Sequence, residues 1–474
     1  MEDNQSTLIR GVCQFVFPIS LIGFNHEELS FNLEKEGFKF FSLKNSDHES
    51  EFYGTRTNVP HSDNEHYFLP YIENILFQDS FHAFSLNRFS KMISNQCTLI
   101  TPVHTIPFSI LSIDLIICPF NIGLITVRTE LPANIPYLVA LDFMNHFRVL
   151  APKITDQKGT ILTYNEKTFS EMKKFILDEL CPGIIPYLND DERNTTNGSL
   201  PYFVDERMFV SGYLLQPNST TIDEYQLFKV SHLNSYDDSG NEYISASNPD
   251  YISEHIKNHS YDRWAPNTYY VTSDHTFTCV SKDEKNSKQL LNNMYGPHYY
   301  NLLLHLFYKI VLLKLSYDYS KLDIDRKEQK IEDLIRSITN FSAKFIFFEI
   351  SSRTEGQEIS NCLKQTFKIE PLFDEVKNTL NRLYQNQERL IDKRKNQLLL
   401  ILTIYTVISG IYGMNLVVED WKGNIDWSKL LQYSVFEYIS LFIAISGITV
   451  GFLLGLIALY KMAKEYYFKE KKNN

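Results

Sequence analysis

Ser409-Gly410-Ile411-Tyr412-Gly413-Met414-Asn415 closes an uncharged apolar run, and how this stretch is read decides the fold. The run starts at Leu398 and carries no charged residue as far as Val418. That is roughly 20 residues, about the length a helix needs to cross the hydrocarbon of a bilayer. A polar loop follows, then a second uncharged run from Tyr438 to Tyr460, then a lysine-rich end. Irregular backbone in lipid would leave its peptide groups unpaired, so two helices are the expected form. Asn415 then stands at the mouth of a hairpin. Its side-chain carbonyl is the kind of hard oxygen a hydrated divalent cation prefers.

The flanks predict an orientation. Arg389, Lys393, Arg394 and Lys395 precede the first run, and Lys461, Lys464, Lys469, Lys471 and Lys472 follow the second. The loop between them carries only Lys422 and Lys429. The positive-inside rule places both termini in the cytoplasm and the loop outside. Met1-Glu2-Asp3-Asn4 has neither a basic nor an apolar signal region, so no cleavable secretory signal is expected. Gly447, Gly451 and Gly455 share one face of the second run and suit close helix packing.

Upstream, Phe373, Val376, Leu380, Leu383, Gln387, Leu390, Arg394 and Gln397 follow alternating steps of three and four. This heptad seam runs into the first apolar run with no Gly or Pro to stop it. One continuous helix of about 40 residues or more is predicted, some 60 Å long or longer. Its early seam positions are apolar and its later ones polar. The seam fits a parallel oligomeric stalk or an antiparallel hairpin within one chain. Asn396, Leu399, Thr403, Thr406, Gly410 and Gly413 repeat the same spacing inside the run. Their face is small and polar except at Leu399, so it points at protein or at a column of water.

Tyr412-Gly413-Met414-Asn415, placed at the end of the first of two C-terminal spans, resembles the signature of the CorA-type magnesium transporter family. The resemblance implies an α+β cytosolic domain followed by a long stalk helix and a two-helix transmembrane hairpin, assembled as a funnel-shaped homopentamer. It implies a multi-pass protein of the plasma (inner) membrane that conducts Mg²⁺ down its gradient through a central ion channel. Gly413, Met414 and Asn415 would form the outer mouth, with Asn415 holding the ion through its hydration shell. Asn396, Leu399, Thr403, Thr406 and Gly410 would line the pore, with Leu399 a candidate apolar constriction. Mg²⁺ would be cargo and also a regulatory ligand between cytosolic domains. The acidic pairs Asp323/Asp325 and Asp237/Asp238 are the nearest candidates for that second role, and each also reads as a solvated face. The chain departs from the family in lacking a proline between Thr403 and Gly410 and a Met-Pro-Glu-Leu loop.

The rest of the chain bounds the reading. Its 474 residues carry a net charge of -11, which argues against nucleic-acid binding. The six cysteines form no Cys-x-x-Cys pair and read as buried thiols. No catalytic motif appears in the context it needs, so an enzyme is not expected. The expected division is a cytosolic α/β domain over 1–296, a helical region and stalk over 297–396, and a first span over 397–418. An outer loop over 419–436, a second span over 437–460 and a basic cytosolic tail over 461–474 follow. Ile106 to Leu131 predicts two strands around Asn121-Ile-Gly. Tyr137 to Leu150, Glu166 to Leu180, Tyr299 to Leu315 and Arg326 to Glu349 predict helices. Tyr202 to Leu215 and Tyr269 to Val280 predict strands, and Leu233 to Arg263 predicts a polar loop. Two other functions stay open: a Co²⁺, Ni²⁺ or Zn²⁺ transporter of the same family, and a membrane-anchored cytosolic sensor or scaffold without conduction.

Overall fold

A computed structural model describes residues 6–55, 57–152, 159–189, 200, 207–237, 239–322, 328–415, 427–439 and a few positions from 441 to 453. The chain divides into two compact units, Met1–Leu380 and Asn381–Asn474.

The strands are β1 (Thr7–Leu8), β2 (Arg10–Ser20), β3 (Lys39–Phe40), β4 (Asn87–Ile100), β5 (Thr105–Cys118), β6 (Ile122–Leu131), β7 (Ile135–Pro136), β8 (Ile161–Tyr164), β9 (Lys167–Phe169), β10 (Phe209–Leu215), β11 (Ser260–Tyr261), β12 (Thr268–Thr272) and β13 (Thr276–Ser281). The helices are α1 (His26–Lys35), α2 (His61–Glu65), α3 (Pro70–Leu76), α4 (Tyr137–Phe147), α5 (Met172–Lys174), α6 (Glu224–His232), α7 (Pro249–His259), α8 (Ser287–Tyr295), α9 (Pro297–Ser320), α10 (Glu328–Lys344), α11 (Thr354–Thr366) and α12 (Ile369–Asn415).

The first unit is built on an 11-stranded sheet ordered β11-β12-β13-β10-β2-β6-β5-β4-β8-β9, with β3 added beside β4. Its pairs are antiparallel except β10 with β13. The β5–β6 hairpin forms where the β-branched runs predict it. Phe120 and Asn121 both adopt positive φ, 66° and 58°, which turns the chain between the strands. Asn tolerates that left-handed conformation because its short side chain can bond locally.

Alternation along the strands sorts side chains to two faces. Cys13, Phe15, Phe17, Ile113, Leu115, Ile125 and Val127 join Phe143 and Phe147 of α4 in the main apolar core. The opposite face carries Gln14, Arg88, Ser90, Ser112, Asp114, Thr126 and Arg128, and it too is buried. α9 covers that face, which explains why α9 is apolar and buried on nearly every side.

Three predicted elements differ. The expected helix over Glu166 to Leu180 opens as strand β9, because Asn165 and Glu166 take positive φ and turn the chain into a hairpin with β8. Helical structure starts only at Met172. The expected polar loop over Leu233 to Arg263 contains α7, started by Asn248, whose side chain accepts from the Asp250 amide, and by Pro249 at the first turn. Tyr269 to Val280 folds as two strands rather than one.

The expected transmembrane hairpin requires correction, and with it the fold class that contained it. Among the described residues, no helix is long and apolar enough to cross a membrane. α12 has 47 residues, but charged side chains recur along it from Glu370 to Lys395. The multi-pass plasma (inner) membrane placement and the membrane ion channel are therefore not supported. Residues 416–418 of the expected first span, 419–426 of the expected outer loop, most of the expected second span, and Asp323, Asp325 and Asp238 lie outside the described residues.

Candidate functional site

α12 carries every residue that the sequence singles out for a cation path. Ile369–Asn415 is one unbroken helix, as the heptad seam predicts, and it includes Gly413-Met414-Asn415. At about 1.5 Å per residue it is about 70 Å long. Asn396, Leu399, Thr403 and Thr406 are all exposed on it. Gly410, Gly413, Met414 and Asn415 lie in the same helix, and their side-chain surroundings fall outside what is described.

The two threonines show a shared geometry. Thr403 Oγ1 donates to the Leu399 carbonyl at 2.7 Å, and Thr406 Oγ1 donates to the Leu402 carbonyl at 2.8 Å. Each hydroxyl hydrogen is thus used within the helix. The oxygen lone pairs are left as acceptors. An acceptor is what the water shell of a cation requires, since those waters present hydrogens outwards.

The apolar residues of α12 fall into two groups. Val376 and Leu383 are each 1% exposed within the single chain, so these positions are already covered. Farther along, Ile391, Leu398 to Leu402 and Ile404 stand exposed, Leu400 at 63% and Leu402 at 64%. A contiguous apolar surface of this kind asks for a partner surface. Tyr405 Oη donates to Ser446 Oγ at 3.4 Å, so part of α12 meets the chain beyond Tyr438.

Sequence reading missed a second constellation, the buried charges on the face of the sheet beneath α9. Asp114 on β5 lies 2.6 Å from Arg128 Nη2 and 2.9 Å from Arg88 Nε. Arg128 Nε donates to Gln14 Oε1 at 3.1 Å, and Arg88 Nη1 donates to Tyr300 Oη at 2.6 Å. Tyr299 Oη donates to Asp114 Oδ2 at 2.9 Å, and Ser90 Oγ donates to Asp114 Oδ1 at 2.8 Å. One carboxylate serves two guanidiniums, which leaves a buried excess of positive charge. Aromatic faces offset it: the Arg88 guanidinium lies 3.9 Å from the Phe41 ring centre and that of Arg128 4.8 Å from the Tyr299 ring centre. Burial by itself would raise the Asp114 carboxyl. Arg128 and then Arg88 overcome that and hold it at about 2. Donors and acceptors here are spent on one another, so the cluster braces β2, β4, β5 and β6 against α9 and offers no reacting group. Its signal in the sequence was the charge itself, Asp114 and Arg128 set inside runs of β-branched residues.

Among the described residues, no group of three or more His, Cys, Asp or Glu side chains could hold a metal ion. No family model, curated protein or solved structure matches the chain.

Proposed function

We propose that the chain takes part in divalent-cation transport, with Mg²⁺ as its foremost cargo. The observation that carries this reading is α12, a helix in which the exposed stripe of Asn396, Thr403 and Thr406 is followed by Gly413-Met414-Asn415. The same tripeptide supports the resemblance to the CorA-type family. Mg²⁺ keeps its waters and prefers oxygen ligands, so an acceptor-lined path suits it. Self-association along α12 belongs to the same reading, with five copies as the resemblance implies. The exposed apolar residues Leu398 to Leu402 and Ile404, just beyond the seam, are left for it, whereas Val376 and Leu383 are already covered. The reading rests on this helix face and does not carry the two-span hairpin forward.

A second reading is a cation sensor or scaffold that conducts nothing. It is favoured by the finding that no described helix is long and apolar enough to cross a membrane. One experiment separates the two. Cells stripped of their own Mg²⁺ uptake systems are made to express the chain or its Asn415→Ala variant, and Mg²⁺ entry is followed with a fluorescent indicator. Entry with the unmodified chain, lost on Asn415→Ala at equal protein level, is the expected result. No entry with the unmodified chain, alongside Mg²⁺ binding by the purified protein, would replace transport with the sensor reading.

A further inference from the structure

We propose that the packed imidazoles of His232, His255 and His259 form an acid-sensitive latch between α6 and α7, and that their protonation releases α7 together with the sheet-edge strand β11. The proposal is independent of the cation reading of α12.

Two well-defined helices bring the three imidazoles together. α6 is started by Asp223, whose carboxylate accepts from the Gln226 amide at 2.8 Å, and stopped by Leu233 in the left-handed conformation. His232 is therefore held at the last turn of α6. His255 and His259 are one turn apart on α7 and so share a face. The His232 and His255 ring centres are 4.8 Å apart. His255 and His259 stack face to face, with ring centres 4.3 Å apart and planes 15° from parallel. Phe228 stacks on His232 at 4.2 Å and meets His255 edge-on at 5.3 Å, which adds an apolar wall. α7 buries only Ile252 and Ile256 besides, so the rings carry much of its contact with α6. Directly after His259 the chain enters β11, whose Ser260 and Tyr261 pair with Val271 and Tyr270 of β12 at the edge of the sheet. Thr272 Oγ1 donates to the His259 carbonyl at 3.1 Å. The edge strand is thus tied to the last of the three rings.

A proton on these rings meets no compensating charge. His232 Nδ1 lies 3.2 Å from the Phe228 carbonyl and His259 Nδ1 lies 2.9 Å from the His255 carbonyl. A carbonyl can only accept, so in both rings Nδ1 carries the hydrogen and a further proton goes to Nε2. His255 Nε2 is buried with no hydrogen-bond partner, so a proton there is a buried donor without an acceptor. Charge on two neighbouring rings would also repel at these separations. Among the described residues, no carboxylate bonds to any of the three. On α6, Asp223 caps the helix, Glu224 accepts from Ser253 Oγ at 3.2 Å, and Lys229 pairs with Glu242. On α7, Asp250, Glu254 and Lys257 stand exposed. Asp262 is exposed after β11, and Asp274 between β12 and β13 pairs with Lys309 at 3.5 Å. Burial first, then the neighbouring His259 and His232, push His255 down to about 4, and burial also lowers His232. Both rings take up protons more readily once α7 has left. Docking of α7 is therefore complete above the ordinary 6.5 of a histidine and weakens as pH falls towards 4. Histidine clusters that lose their packing on protonation are a recognised form of pH switch.

The test is hydrogen exchange of the purified full chain at pH 7 and pH 5, read by mass spectrometry and corrected for the intrinsic effect of pH on each amide. Protection of α7 and β11 is expected to fall about fivefold or more at pH 5, with β5 and β6 unchanged. His255→Gln keeps a polar side chain that takes up no proton, and it is expected to abolish the fall. His259→Gln removes one neighbouring charge and is expected to reduce it. Unchanged protection of α7 and β11 in the unmodified chain would overturn the proposal, whether or not the variants fold. An equal loss in β5 and β6 would also overturn it, since the whole sheet then unfolds together. So would a fall of undiminished size in both folded variants.

Discussion

Replacing Asp114 by Asn removes the one carboxylate that serves two buried guanidiniums while nearly keeping its shape. Arg88 and Arg128 are 3% and 0% exposed, so no water takes over the lost role. Breaking a buried ion pair from one side costs about 3–5 kcal/mol, and here two cations lose their partner together, which places the expected loss near the upper end at about 5 kcal/mol. That is a large share of the roughly 5–15 kcal/mol that holds a domain folded. Urea unfolding followed by near-ultraviolet circular dichroism reads the effect, because Tyr53, Tyr299 and Tyr300 pack around the network. A drop in midpoint at unchanged slope is expected. Removing all three charges together, with Asp114→Asn, Arg88→Met and Arg128→Met, should recover part of the loss, since no uncompensated charge then remains. A loss below about 1 kcal/mol in Asp114→Asn would refute the claim that this carboxylate holds the network together. Acid provides a second reading. Asp114 is depressed to about 2 in the folded chain from an ordinary 3.8, so the unfolded chain binds its proton first. Its contribution is complete above pH 3.8 and is lost as pH falls through 2, an effect of about 2 kcal/mol.

Three further outcomes follow from particular contacts. Thr403→Val with Thr406→Val removes the outward oxygen acceptors of α12 and should lower Mg²⁺ entry severalfold, while Thr403→Ser with Thr406→Ser should retain most of it in the same fluorescence assay. Gly123→Ala would bring a Cβ to 2.8 Å from Ile19 Cγ1 within the β2–β6 pair, and thermal unfolding should show a loss of about 1–3 kcal/mol. His255 titrates at about 4 in the folded chain against an ordinary 6.5, so its share of stability is complete above pH 6.5 and lost as pH falls towards 4. The ring is partly exposed and solvent screens it, so about 1 kcal/mol is expected, visible as faster amide exchange in α6 and α7 that His255→Gln abolishes.

Some elements were legible because their cause is local. The β5–β6 hairpin announces itself in two β-branched runs around Asn121, and α12 in a heptad spacing uninterrupted by Gly or Pro. The α7 segment resembles a loop in sequence because its composition is polar, with only Ile252 and Ile256 buried, and its start depends on the Asn248 side chain bonding to one backbone amide. The membrane hairpin shows the opposite error. An apolar run indicates that a surface will be buried but does not specify in what. Along the same helix, Val376 and Leu383 found their cover inside the chain.

The sequence by itself determined where strands and helices lie whenever one periodicity ran unbroken, since period two and period 3.6 arise from backbone geometry within a few residues. It also set aside the hydroxyls of α12, because a threonine one turn beyond a carbonyl bonds to it in any helix. Only the tertiary structure decided which charges meet. Asp114 joins Tyr299 across 185 positions of chain and Gln14 joins Arg128 across 114. Strand register, not local sequence, places Ser112 opposite Arg128 and Asp114 opposite Thr126. A one-residue slip would turn both charges to the other face, so their pairing exists only once the sheet is aligned.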